Sequence, residues 1–197
     1  MNSKPVLQGE KKSRLKQEPL AFIDLETTGL LTTQHEIIEI GCIIANQTGG
    51  DRGVPHITLR EELDIRVRPQ HLETADIEAL AINGYTEDRW HDAISLKEAL
   101  TIVSEKTAGC IMVGQNVTFD WNFLAVAFEQ EGIDCLMDYH RIDTMSMSFA
   151  KFQHDPAVQS FSLRAMAAHF GIEQKKAHQA LDDIRVTFEV YKKLIEV

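Results

Sequence analysis

The sequence predicts an α/β domain, a mixed sheet with helices on both faces. Three observations carry that reading. Apolar periodicity changes from two to helical part-way along the chain, the element order reads βββ and then α, β, α, β, α, and no internal repeat interrupts it. The 197 residues are 44% hydrophobic and 25% charged, with 11 Gly, 5 Pro and 3 Cys. That composition excludes disorder, collagen and a disulfide scaffold, and a chain of this size buries roughly 70% of its unfolded surface.

Residues 1–18 hold five bases against two acids and almost nothing apolar, so they read as a flexible basic arm outside the core, with 19–197 forming one domain. From Leu20, LAFIDLE alternates as a strand, TTGLLTTQ turns, and Ile37 to Ile44 is a β-branched run. NQTGGDRGVP (46–55) is a Gly/Pro-rich connection, and ELDIRVRP (62–69) alternates before a proline like a strand near a sheet edge. Helices are expected at Thr74–Ala81 and at Ser95–Lys106, the second with Ser95 and Glu98 in a capping arrangement. CIMVGQN (110–116) is a short strand, 119–132 a helix with Phe119, Phe123 and Val126 on one side, and RIDTM (141–145) another strand. Leu163–Phe170 stops at Gly171, and Ala180–Ile195 carries Leu181, Ile184, Phe188, Tyr191 and Ile195 on one stripe. The Met and Phe residues of 143–152 are expected to pack on the sheet, with Asp143 structural.

Charge narrows the function. Thirty acids face 20 bases, a formal net charge of -10, and the basic arm leaves -13 on the remainder. Such a body repels long polyanions, which argues against duplex DNA held by many phosphate contacts but not against an enzyme that grips one nucleotide end. Cys42, Cys110 and Cys135 are an odd count, well separated and in apolar surroundings, and read as reduced core residues. No apolar run reaches the about 18 residues that span a bilayer, so the expectation is a soluble cytoplasmic protein with no membrane partner.

Alternation on the first strand sends Phe22, Asp24 and Glu26 to one face and Ile23 and Leu25 to the other. Two carboxylates side by side on a central apolar strand require neutralisation, and the strand holds no Lys or Arg. Asp120 follows the CIMVGQN strand, and Asp182 and Asp183 open the last helix. Oxygen donors of this kind suit Mg²⁺ or Mn²⁺.

FIDLETTG with Asp24 and Glu26, GQNVTFDWNFL with Asp120 and AHQALDDIRVT with His178, in this order, resemble the DEDDh 3′→5′ exonucleases of the DnaQ-like group, over nearly the whole chain from Leu20 to about Tyr191. The resemblance implies a ribonuclease H-like fold with a five-stranded mixed sheet, second strand antiparallel. It places the last acid five residues after the histidine, at Asp183. The helix stripe leans the same way, with Asp183 about 115° and Asp182 about 145° from its centre.

The implied activity is metal-dependent hydrolysis of terminal phosphodiesters of single-stranded DNA or RNA, releasing nucleoside 5′-monophosphates. Asp24, Glu26, Asp120 and Asp183 would hold two Mg²⁺ or Mn²⁺, and His178 would take the proton of the attacking water. The resemblance also implies substrate contacts at Thr27, Thr28, Gly29 and Leu30, with Leu30 as a base wedge, and at Ile82, Asn83 and Phe119. Single-stranded 3′ ends are the expected partner and a DNA polymerase subunit a further one. DNA trimming or proofreading is placed ahead of RNA processing. The competing classes are a non-catalytic nucleic-acid-binding relative and a two-carboxylate glycosidase, which would work without a divalent ion.

Overall fold

The computed structural model describes Leu15 and residues 17–49, 55–174 and 179–196. Five strands, β1 (Leu20–Thr27), β2 (Ile37–Thr48), β3 (His56–Arg66), β4 (Ile111–Gly114) and β5 (Arg141–Asp143), form one sheet in the order β3-β2-β1-β4-β5. β2 runs antiparallel to β1 and β3, while β4 is parallel to both β1 and β5. This is the expected mixed sheet with its second strand reversed. The carboxyl ends of β1, β4 and β5 therefore share one edge.

Helices cover both faces. Ala21, Ile23 and Leu25 pack with Leu100 and Val103 of α2 (Leu96–Lys106) and Leu124 and Phe128 of α3 (Val117–Glu131). Leu20 and Phe22 pack with Ile184, Phe188 and Tyr191 of α6 (Ala180–Ile195). Phe22 meets Phe188 and Tyr191 edge-on, with centroids 5.0 and 5.2 Å apart. The α6 side of β1 is thus apolar up to Phe22, and the next two side chains on that face are Asp24 and Glu26.

Several boundaries differ from the sequence reading. β3 begins at His56 rather than at residue 62 and ends at Arg66: Ile57 and Leu59 already alternate with polar residues, and pairing with the long β2 continues across a register shift between Ile44 and Ala45. α1 is Ile77–Asn83, capped by Asp76 accepting from the Glu78 amide and stopped by left-handed Gly84; a single 3-10 turn, Leu72–Thr74, precedes it. α2 opens as expected, with Ser95 accepting from the Glu98 amide at 3.2 Å. β5 stops at Asp143, whose carboxylate accepts from the Met145 and Ser146 amides and starts a helix, α4 (Thr144–Phe152), that was not anticipated. α5 (Leu163–Phe170) ends at Gly171 as expected.

Most of the basic arm lies outside the described residues. Its Leu15, however, packs against the α6-side core, and its carbonyl accepts from the Gln47 side chain at 2.6 Å. The arm therefore contributes to the core earlier than residue 19. Cys42 and Cys110 are buried and Cys135 half-buried, all as free thiols. No described helix is long and apolar enough to cross a membrane.

Candidate active site

β1 pairs with β4 only as far as Phe22, opposite Val113, so beyond that point its β4 side has no neighbouring strand. Asp120, in the first turn of α3, fills the position: its Oδ1 accepts from the Leu25 backbone N–H at 3.0 Å, and its side chain is buried. The bond satisfies an amide that would otherwise be orphaned and fixes the carboxylate beside β1.

On the α6 face of β1, Asp24, Glu26 and Asp183 each offer a carboxylate oxygen within 4.8 Å of the others. Asp182 faces elsewhere, paired with Arg185 at 3.1 Å, which in turn holds Glu62. Of the two adjacent acids, the structure brings Asp183 to the β1 pair. Gln174 donates from Nε2 to Asp183 Oδ1 at 2.8 Å.

Burial pushes the Asp24 carboxyl well above its usual range, and the neighbouring carboxylates of Asp120, Glu26, Asp183 and Glu39 push it further. Glu26 rises to about 8, through burial first and then the nearby Glu39, Asp183 and Asp120. Burial also raises Asp120 to about 8, against the opposing pull of its backbone hydrogen bonds. Acids so crowded and desolvated stay ionised together only when a cation joins them, and their all-oxygen donor set fits a hard divalent ion.

His178, Lys175 and Lys176 lie outside the described residues. The segment 21–191 matches the family model RNase_T, described as exonuclease. The chain belongs to this exonuclease family. Among its relatives is the DNA polymerase III PolC-type of Caldanaerobacter subterraneus subsp. tengcongensis, 27% identical over 98% of this chain and 12% of the relative. Another is the 3′-5′ exonuclease DinG of Staphylococcus saprophyticus, 29% identical over 86% of this chain and 17% of the relative. The chain thus spans less than a fifth of the length of these relatives. E. coli exonuclease I, solved with a dT13 oligonucleotide, superposes with a TM-score of 0.73 at 18% identity, covering 90% of this chain and 41% of that one. The nuclease domain of 3′hExo, a DEDDh family member bound to rAMP, superposes at 0.70 and 16% identity, covering 91% and 92%. These two likenesses establish the ribonuclease H-like exonuclease fold.

Beside the acids, the chain turns through Thr27 to Leu30. Thr27 donates its hydroxyl to the Gly29 carbonyl at 2.7 Å, and the Thr28 hydroxyl accepts from the Glu36 amide at 2.8 Å. Gly29, at φ 155°, permits close approach of the His35 ring, since a Cβ there would lie 2.4 Å from it. Leu30 is 76% exposed at the tip, and α1 presents Ile77 and Ile82, 83% and 55% exposed. Asn83, at the end of α1, is buried and its amide donates to the Thr27 carbonyl at 2.9 Å, which ties α1 to the loop. Thr27 and Thr28 are likewise buried. Phe119 is half-buried and packs against Phe123 at 5.1 Å, within the α2–α3 side.

Three residues close to the site escaped the sequence reading. Glu39 lies directly across from Glu26 in the β1–β2 register and is buried, and burial together with Asp64 lifts it to about 7. Its period-two position in IIEIG was the available signal. Gly41 sits opposite Asp24 beneath the start of α6, and a glycine inside a β-branched strand is itself a sign of close approach. Gln174 carried no signal, because its contact depends on the path of the segment between α5 and α6.

Proposed function

We propose that this chain is a metal-dependent 3′→5′ exonuclease that removes nucleoside 5′-monophosphates from single-stranded ends. The observation that carries the reading is the convergence of Asp24, Glu26 and Asp183 within 4.8 Å, with Asp120 tied into the same strand through Leu25. Four acids gathered from β1, α3 and α6 would hold a pair of Mg²⁺ or Mn²⁺. When bound, such ions supply positive charge that acidifies water and offsets the charge gathering on the phosphate.

The protein's own groups divide the remaining work. His178 takes the proton of the attacking water, a task suited to an imidazole whose ordinary pKa is near 6.5. Attack on the last phosphodiester breaks its bond to the 3′-oxygen of the preceding nucleotide. Leu30 and Ile82 offer apolar surface to the terminal base, the backbone of Thr27, Thr28 and Gly29 lies along the sugar, and Phe119 borders it. Asn83 keeps that loop in place. A DNA polymerase subunit as partner draws support from the PolC-type relatives, in which the matching segment is a small part of a longer chain.

The test is digestion of matched 5′-labelled DNA and RNA oligonucleotides of several lengths with Mn²⁺ and with EDTA. The expected result is a ladder shortening from the 3′ end that chelation abolishes, and the ratio of the two substrates assigns DNA or RNA. Cleavage that continues in EDTA, or internal cuts, would contradict the proposal. His178→Ala should lower turnover by roughly 10²–10⁴ while Mn²⁺ binding persists.

A further inference from the structure

α4 leaves β5 at the sheet edge where the acids open. Met145 in its first turn and Phe149 one turn later share a side of the helix, and both are exposed, at 38% and 52%. Phe161, in the turn before α5, stands edge-on to Phe149 with centroids 5.4 Å apart. This apolar strip is tied to the loop that leads into α3. The Thr144 hydroxyl donates to the Gln115 side-chain carbonyl (2.7 Å), Gln115 Nε2 donates to the Phe161 carbonyl (2.8 Å), and the Asn116 amide donates to Asp143 (2.7 Å). Asp120 follows Asn116 by one helical turn, so the strip has a fixed position relative to the acids.

Folding does not require Phe149 at the surface, since α4 already buries its other side through Met147 and Phe152 against α5 and α6. The strip follows β5 at one edge of the sheet, whereas Leu30 follows β1 and Ile82 belongs to α1, which packs on β1 two strands away. A strand whose terminal nucleotide rests against Leu30 and Ile82 must leave the acids along a body of net charge -10, which gives its phosphates little attraction. Base stacking on aromatic faces needs no such charge and tolerates any sequence. We propose that Met145, Phe149 and Phe161 form a stacking ledge for the nucleobases of the single strand 5′ of the cleaved bond. The inference rests on the exonuclease reading above and adds where the body of the substrate is gripped.

Steady-state trimming of a dinucleotide and of a hexanucleotide tests it. In the unaltered protein KM should fall with length. Phe149→Ala should raise KM for the hexanucleotide about tenfold and remove most of the length dependence, and Phe149→Tyr should restore it. Phe149→Trp gives a second readout: its emission should be quenched by the hexanucleotide more than by the dinucleotide. Unchanged length dependence in Phe149→Ala, an equal loss at both lengths, or emission from Phe149→Trp indifferent to the hexanucleotide would each overturn the ledge. Inactivity of the unaltered protein on every oligonucleotide would instead overturn the exonuclease reading.

Discussion

Gly41 of β2 lies directly beneath Ala180: a Cβ on Gly41 would come within 2.3 Å of the Ala180 carbonyl carbon and 2.5 Å of the Leu181 nitrogen. These are backbone atoms, which cannot swing aside as a side chain can. The first turn of α6 therefore rests on the sheet only because position 41 has no side chain, and that turn carries Asp183 to Asp24. Gly41→Ala should push the helix start outward, with an overpacking cost of about 1–3 kcal/mol. Thermal melting should show the loss, and calorimetric Mn²⁺ titration should show weakened binding. Wild-type affinity in the variant would mean that the approach of α6 does not govern the ion site.

Gln174 acts on the same acid from the other side, through its 2.8 Å bond to Asp183 Oδ1. An amide donor orients the carboxylate without adding a positive charge that would compete with a cation. Partners of this kind are worth about 10- to 100-fold in metal affinity. Gln174→Ala should weaken Mn²⁺ binding by that order with little change in melting temperature, and Gln174→Glu should weaken it more through like-charge repulsion. Equal titration curves for the unaltered protein and Gln174→Ala would rule the contact out as a determinant.

Asp24 and Glu26 were legible from local periodicity and the mixed α/β layout from element order, whereas the five-stranded topology and the choice of Asp183 came chiefly from the family resemblance. Alternation put Asp24 and Glu26 on one face, and the helical stripe of α6 leaned toward Asp183 over Asp182, as the structure now orients them. What stayed hidden depends on contacts between distant segments. The two halves of β3 meet across a register shift opposite Ile44 and Ala45, so Ile57 packs on the α6 side and Leu63 on the α2–α3 side although both belong to one alternating pattern in the sequence. α4 was concealed by running the strand on through Met145, although an Asp before T-M-S is also a helix cap. The burial of Asn83 depends on α1 turning back onto Thr27, a contact across 56 positions in the chain.

Asp182 and Asp183 offer a sharp contrast between neighbours. Asp182 belongs to an ion pair with Arg185, which is 47% exposed, and such pairs contribute little. Asp182→Ala should shift stability by less than about 0.5 kcal/mol and leave nucleotide release near wild type. Asp183→Ala removes one of the three convergent oxygens and should abolish nucleotide release, while melting in EDTA at neutral pH should hold or rise as the repulsion on Asp24 and Glu26 is relieved. Activity surviving in Asp183→Ala and lost in Asp182→Ala would reverse the assignment.

Crowded acids make a further demand on the ion-free protein. Glu26 and Asp120 rise from ordinary values of 4.5 and 3.8 to about 8, and Glu39 from 4.5 to about 7. Because the folded state binds these protons more tightly than the unfolded chain, their stabilising contribution is complete below about pH 4 and drains away as pH rises toward 8. In EDTA the melting temperature should therefore fall between pH 5.5 and pH 8.5. A divalent ion replaces the lost protons, so Mg²⁺ should raise the melting temperature more at pH 8.5 than at pH 5.5, and its binding at pH 7 should release protons to the buffer. A melting temperature in EDTA that holds level across this range would show that the acids ionise without opposing one another, which their burial and spacing do not allow.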